Sequence, residues 1–97
     1  MKKPKKMIIA NWKMNVTSEK DAESLFLSIK NVVSKLEYTT MVCCPPHMYV
    51  NQVARYVDHR NYRVGGQDAY PEESGSRTGE TSVLMMKNAG AEYVILG

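Results

Sequence analysis

The sequence of 97 residues is 43% apolar and carries a formal net charge of +3. Its length fits a single domain, and its apolar content is that of a globular protein. Because no apolar run approaches the ~20 residues of a membrane-spanning helix, the sequence predicts no membrane span.

The positive charge is concentrated at the amino terminus. Four of the 13 basic residues lie within residues 1–6, and the rest of the chain has nine basic and ten acidic residues. We expect a flexible basic tail that precedes one folded domain, residues 7–97. A nucleic-acid-binding protein carries its basic residues on a structured element, so we predict no nucleic-acid partner. The apolar run after the tail is shorter than the ~7–15 residues of a secretion signal, which favours a cytoplasmic location.

The first predicted strand, residues 7–10, is followed by the most regular helical pattern of the sequence. Ser18, with Asp21 three residues later, is a capping pair for the first turn. Apolar residues then recur at intervals of three and one, as one face of a helix requires. We therefore predict a helix over 18–35 that covers one side of a core. Its apolar face consists of Ala22, Leu25, Phe26, Ile29, Val32, Val33 and Leu36.

The second predicted strand, residues 40–44, ends at two prolines and contains both cysteines. Neighbouring residues on a strand point to opposite faces, so Cys43 and Cys44 suit neither a mutual disulfide nor a shared metal site. We predict two buried thiols, no metal and a reducing compartment. Apolar residues at helical spacing over 50–57 predict a second helix that starts near residue 48.

A third strand is predicted over 62–67, and a long polar loop follows it. The long loop, residues 68–80, is rich in Gly, Ser, Glu and Pro. A loop of about 13 residues is unusual inside a compact domain and is more often functional than not.

The third predicted helix is capped at Thr81 or Ser82 and runs through residue 88. Gly90 is placed to end it in the left-handed conformation. The last apolar run of the sequence is 93–96. The apolar side of this helix is formed by Met85, Met86 and Ala89.

Strands and helices therefore alternate in the order β-α-β-α-β-α-β. Alternation with crossover helices predicts an α/β fold with a parallel sheet, and four such strands are half of an eight-stranded (β/α) barrel. The outer strands, 7–10 and 93–96, are apolar and would leave the sheet with two open edges. We expect a truncated barrel, or a chain that needs a partner to close its sheet.

Asn11 and Lys13 are the polar residues with the clearest functional pattern. They follow the first strand two positions apart, so an extended backbone would point both side chains the same way. Parallel α/β proteins build their ligand sites at the carboxyl ends of the strands. An amide and an ammonium group at this place predict a ligand site. The alternative is an ordinary surface lysine at a strand end.

Five segments of the sequence stand out in order along the chain. They are ANWKMN at 10–15, CPP at 44–46, VGGQD at 64–68, GSRTGE at 75–80 and AGAEYVILG at 89–97. They resemble the first-strand signature, the end of the second strand, the third-strand motif, the long third loop and the approach to the fourth strand of the triosephosphate isomerase family. The resemblance covers the chain from about residue 7 to its end. It implies a partial TIM barrel, β1-α1-β2-α2-β3-α3-β4, truncated after the fourth strand.

The resemblance implies a reaction and roles for two residues. The family interconverts dihydroxyacetone phosphate and glyceraldehyde 3-phosphate, a cofactor-free proton transfer in glycolysis and gluconeogenesis. Removal of a proton next to a carbonyl builds negative charge on oxygen beside a phosphate dianion, and a fixed cation stabilises both charges. Lys13 would be that cation, and Asn11 would orient the substrate.

The resemblance also implies a homodimer. In this family the third loop inserts into the neighbouring subunit beside that subunit's first loop. Thr78 would then form a hydrogen bond near the neighbour's Asn11. Gly79 and Glu80 would lie in the same interface. Met14 would occupy a socket formed by the partner's third loop.

The sequence departs from the family in the long loop. Ser76 and Arg77 stand where a small residue and an aromatic residue are usual, and a charged Arg77 near the core of the subunit interface would disturb the packing of the loop there. Asp68 replaces the more usual Asn.

Two catalytic residues of the family have no counterpart in this sequence. In the family, the catalytic histidine follows the fourth strand and the glutamate base lies at the end of the sixth strand. The 97 residues alone are therefore expected to be inactive. His47 and His59 are not substitutes, because we predict the first in a loop or helix start and the second at a surface helix end. The alternatives are a non-catalytic half-barrel module that self-associates edge to edge and another phosphate-handling (β/α) barrel.

Overall fold

The computed structural model describes residues 5–97, which form one parallel sheet and three helices. The four strands lie in the order β1-β2-β3-β4, and each neighbouring pair is parallel. This arrangement confirms the predicted partial (β/α) barrel. In chain order the elements are β1 Lys6–Asn11, α1 Glu19–Val33, β2 Thr39–Cys44, α2 His47–Ala54, β3 Tyr62–Gly66, α3 Val83–Ala89 and β4 Tyr93–Val94.

The predicted basic tail overlaps the first strand. Residues 1–4 lie outside the described residues, whereas Lys6 already belongs to β1 and pairs with Thr39 of β2. The Lys6 N–H donates to the Tyr38 carbonyl at 2.7 Å. The strand thus begins one residue earlier than predicted.

Helix α1 begins and ends through side-chain hydrogen bonds to its backbone. Ser18 is its N-cap, and its hydroxyl accepts from the Asp21 N–H at 3.1 Å, as predicted. At the other end, the Asn61 side chain donates to the Val33 carbonyl at 2.5 Å, so the helix stops two residues before the predicted end. Val32 was predicted to face the core but is 64% exposed, because its neighbour Val33 takes the inward position of that turn.

The core lies between the sheet and helices α1 and α2. Phe26 of α1 stacks on Tyr62 of β3, with ring centroids 4.1 Å apart, and the Tyr62 hydroxyl donates to the Phe26 carbonyl at 3.1 Å. Both cysteines are free and buried, as predicted, and Cys43 belongs to this core. Burial is the main cause that raises the pKa of the Cys43 thiol to about 12, and the neighbouring Cys44 raises it further.

Two of the later elements, α2 and β4, end earlier than predicted. Helix α2 stops at Ala54, before the predicted apolar position 57, and β4 contains two residues instead of the run 93–96. Ser82 caps α3 and Gly90 ends it with φ 108°, both as predicted. Met86 is buried, but Met85 is 51% exposed and does not face the core.

The strands β1 and β4 form the two edges of the sheet. Met7, Ile8 and Ile9 of β1 are 50%, 44% and 54% exposed, so both faces of this edge strand are open. The sheet therefore has the two open edges that the sequence predicts. Within residues 5–97, no helix is long and apolar enough to cross a membrane.

Candidate functional site

An open cleft of about 430 Å³ lies at the carboxyl ends of β1, β2 and β3. The sequence predicts a ligand site at this end of the strands, and both Asn11 and Lys13 line the cleft. Lys13 and Asp68 bring opposite charges to the cleft. Its lining residues are Asn11, Lys13, Met14, Pro46, His47, Gln67 and Asp68.

Asn11 and Lys13 share the cleft because of a turn. Trp12 between them is only 6% exposed and belongs to the core cluster, while its two neighbours are exposed. The sequence prediction assumed an extended backbone, but β1 ends at Asn11, and Lys13 has φ +57°. The Asn11 Oδ1 accepts from the Lys13 N–H at 2.8 Å and closes the turn. A left-handed lysine costs on the order of 1–3 kcal/mol, so its surroundings must hold it.

Gln67 holds this turn from the third strand. Its Nε2 donates to the Lys13 carbonyl at 2.8 Å and to the Cys44 carbonyl at 2.9 Å, which ties the ends of β1 and β2 together. The Trp12 N–H donates to the same Cys44 carbonyl at 3.0 Å, and the Asn15 side chain donates to the Trp12 carbonyl at 2.8 Å. The segment VGGQD was noted in the sequence without a role for Gln67. Its position directly after a glycine-rich strand end was the available signal.

The glycine before Gln67 allows α3 to approach the sheet. A Cβ at Gly66 would lie 2.9 Å from the Met86 sulfur. A larger residue at the carboxyl end of β3 would therefore require the Met86 side chain to move.

The long loop, 68–80, is closed at its base and exposed beyond it. The Tyr70 N–H donates to the Thr81 carbonyl at 2.8 Å, and the Val83 N–H donates to the Tyr70 carbonyl at 3.2 Å. Every residue from 71 to 80 is exposed. Arg77 lies 5.4 Å from the centre of the Tyr70 ring, so the loop accommodates this charge on its own surface.

The residues predicted for a subunit interface lie in two separate places. Met14 lines the cleft and is 93% exposed. Thr78, Gly79 and Glu80 belong to the exposed loop, and none of them lines the cleft.

The two histidines occupy different surroundings. His47 is the first residue of α2 and lines the cleft, with its Nδ1 at 3.3 Å from the Thr81 hydroxyl. His59 follows α2 in the connection to β3, not at the helix end, with its Nδ1 at 2.6 Å from Asp58 Oδ1. The hydrogen bond from Lys30 lowers the pKa of the Asp58 carboxyl. Among the described residues, no three His, Cys, Asp or Glu side chains lie together so as to hold a metal ion.

Comparisons with known proteins agree with this geometry. Residues 6–97 match the family model of triosephosphate isomerase. The triosephosphate isomerase of Alkaliphilus oremlandii is 44% identical over 97 residues, which are all of this chain and 38% of that protein. The one of Rhodopirellula baltica is 38% identical over 91 residues, which are 94% of this chain and 35% of that protein.

A solved structure shows the same relation. The crystal structure of triosephosphate isomerase from Bartonella henselae matches with a TM-score of 0.83 and 30% identity, over 94% of this chain and 37% of that one. The chain thus spans about 38% of the length of the curated relative with 44% identity. Since the family model covers residues 6–97 and the fold agrees, this chain belongs to the triosephosphate isomerase family.

Proposed function

We propose that this chain contributes the cationic side of an active site that interconverts dihydroxyacetone phosphate and glyceraldehyde 3-phosphate. The observation that carries the proposal is the cleft, which Asn11 and Lys13 line together on a turn fixed by hydrogen bonds. Proton removal beside the substrate carbonyl places negative charge on oxygen, next to a phosphate dianion. A preorganised ammonium group stabilises both charges without having to move at the moment of reaction.

Asn11 has two roles in this proposal. Its Oδ1 accepts from the Lys13 N–H and so fixes the turn. The remaining part of the amide, its NH2 group, is a donor suited to a substrate oxygen. Asn11 therefore orients the substrate while it positions Lys13.

The test uses a hybrid barrel in which residues 1–97 of this chain replace the aligned residues of the Alkaliphilus oremlandii protein. Lys13→Ala should lower kcat/KM by about 100-fold or more, the scale of losing one preorganised electrostatic group. Lys35→Ala, an exposed lysine outside the cleft, is the matched control. A Lys13→Ala hybrid within threefold of the parent would remove the basis of the proposal.

The 97-residue chain assayed by itself is expected to show no turnover. Lys13 and Asn11 stabilise charge, but neither removes a proton from carbon at neutral pH. A coupled isomerase assay measures this directly, and turnover clearly above buffer would contradict it.

We also propose a homodimer in which the long loop of one subunit covers the other subunit's Met14. The 93% exposure of this apolar side chain and the full exposure of residues 71–80 support it. Met14→Glu should weaken dimerisation of the hybrid barrel at least about 30-fold, as for an interface hot spot. Val32→Glu, at a 64% exposed position of α1, is the control. Sedimentation equilibrium decides, and an undisturbed Met14→Glu dimer would refute this interface.

We place the reaction in glycolysis and gluconeogenesis, in the cytoplasm. The free, buried Cys43 and Cys44 support a reducing compartment. Fractionation of the source cells tests the location.

The open edge of β1 supports a second candidate function, self-association of the 97-residue chain without catalysis. Ile8 and Ile9 expose about half of their surface at this edge. Ile8→Lys should convert the associated chain to a monomer, whereas Val32→Lys should not. A folded monomer of the unmodified chain in sedimentation velocity would exclude this candidate.

A further inference from the structure

His47 makes the contact between the cleft and the end of the long loop. Its Nδ1 lies 3.3 Å from Thr81 Oγ1, although the two residues are 34 positions apart. Both side chains are half-buried. A partly buried side-chain pair of this kind restrains the two segments that carry it.

Thr81 is the point at which the two ends of the long loop meet. Its carbonyl accepts from the Tyr70 N–H at 2.8 Å, close to the start of the loop. The next residue, Ser82, is only 4% exposed, and its hydroxyl accepts from the Met85 N–H at 3.0 Å to cap α3. A restraint on the Thr81 side chain therefore restrains the base of the whole loop.

His47 stands on a rigid element. It opens α2, two residues after the fully buried Pro45, and Tyr49 and Val50 of its own first turn belong to the core. It also lines the same cleft as Lys13. The hydrogen bond to Thr81 thus connects the base of the long loop to α2, a packed helix whose first residue lines the cleft.

We propose that His47 is a positioning residue that fixes the base of the long loop relative to the cleft. Because a threonine hydroxyl both donates and accepts, the contact to Nδ1 holds for either protonation state of the ring. The inference rests on the proposed function where it concerns the dimer, since this loop is the segment that covers the partner. It assigns His47 to loop geometry and not to proton transfer.

The first test is proteolysis of the 97-residue chain. Arg77 is the only lysine or arginine between Arg63 and Lys87, so trypsin cleavage after it reports opening of the long loop. His47→Ala and Thr81→Val should each raise this cleavage rate about fivefold, the scale of one lost hydrogen bond. The double variant should be no faster than either single variant, since both remove the same contact.

Conservative variants keep the test independent of folding. His47→Asn retains a polar group near the position of Nδ1, and Thr81→Ser retains the hydroxyl, so both should stay within twofold of the parent. His59→Ala removes a histidine bonded to Asp58 and should also leave the rate unchanged. Additive effects of His47→Ala and Thr81→Val, or no effect of either, would overturn the inference.

The second test uses the hybrid barrel. His47→Ala should raise the dimer dissociation constant about fivefold, whereas His59→Ala should leave it within twofold of the parent. An unchanged dissociation constant in His47→Ala, or a tenfold loss of kcat in the intact dimer, would overturn the inference. If the parent hybrid is inactive or monomeric, the proposed function fails, and the proteolysis result still decides the role of His47.

Discussion

The turn 11–15 and the long loop 68–80 both lie at the carboxyl ends of the strands, yet they are held in different ways. The turn carries the buried Trp12, and Gln67 and the Cys44 carbonyl hold its backbone. The long loop is closed at Tyr70 and Thr81, and its residues 71–80 are all exposed.

This difference fits the two roles in the proposed function. A group that stabilises charge must be in place before a substrate arrives, and Lys13 lies on a turn in which both its N–H and its carbonyl are hydrogen-bonded within the chain. Residues that recognise a partner need not be ordered by their own chain, because the partner completes their contacts. Under this proposal the turn is ordered within one subunit, and the long loop is completed by contact with the other.

Trp12→Ala should have the largest effect on stability. Loss of this buried ring from the core should lower the free energy of unfolding by about 3–5 kcal/mol. Urea denaturation measures this, with the exposed Val32→Ala expected within about 0.5 kcal/mol of the parent.

The same variant also tests the order of the turn. In the parent, trypsin should cut after Arg77 in the exposed loop much faster than after Lys13, and Trp12→Ala should remove that difference. Mass spectrometry of the first fragments identifies the sites. Equal cleavage at both sites in the parent chain would show that the turn is no more ordered than the loop.

Gln67→Ala should have the next largest effect. It removes two hydrogen bonds, to the Lys13 and Cys44 carbonyls, and should cost about 2 kcal/mol of stability. Because Lys13 is then free to leave its left-handed conformation, kcat/KM of the hybrid barrel should fall by about 10- to 30-fold.

Gln52→Ala is the matched control for this prediction. The Gln52 side chain also makes two hydrogen bonds, to the Glu19 carbonyl at 2.7 Å and to the Tyr56 hydroxyl at 2.9 Å, but it lies between α1 and α2. Its Oε1 is buried without a hydrogen-bond partner among residues 5–97, so its loss should reduce stability by no more than that of Gln67 and should leave kcat/KM within twofold. Equal losses of activity in both variants would attribute the effect of Gln67 to stability alone.

The sequence predicted those parts of the fold that depend on periodicity and capping. The Ser18 and Ser82 caps and the Gly90 stop follow from local rules, and the structure confirms them. It confirms the α1 stripe in part, with Ala22, Phe26 and Val33 buried. The exposure of Val32 and Met85 was missed because periodicity alone allows a wider apolar face than the sheet covers.

The sequence predicted that Asn11 and Lys13 lie together at the strand end, as they do in the cleft, but it did not predict the geometry. The prediction of an extended backbone missed the left-handed turn, which depends on a hydrogen bond from Gln67, 54 positions away from Lys13. The contact between His47 and Thr81 was missed for the same reason. Contacts between residues far apart in sequence are set by packing, which a single sequence pattern does not reveal.

Arg77→Ala, in the long loop, should have the smallest effect. Within the single chain this charge lies over the Tyr70 ring and 3.8 Å from the Glu72 carboxylate, with 58% of its side chain exposed. Exposed contacts of this kind contribute little, so urea denaturation should show a change within about 0.5 kcal/mol. A loss above about 1.5 kcal/mol would mean that Arg77 anchors the loop within its own subunit. The contrast with the turn would then have to be abandoned, because both segments would be ordered by the single chain.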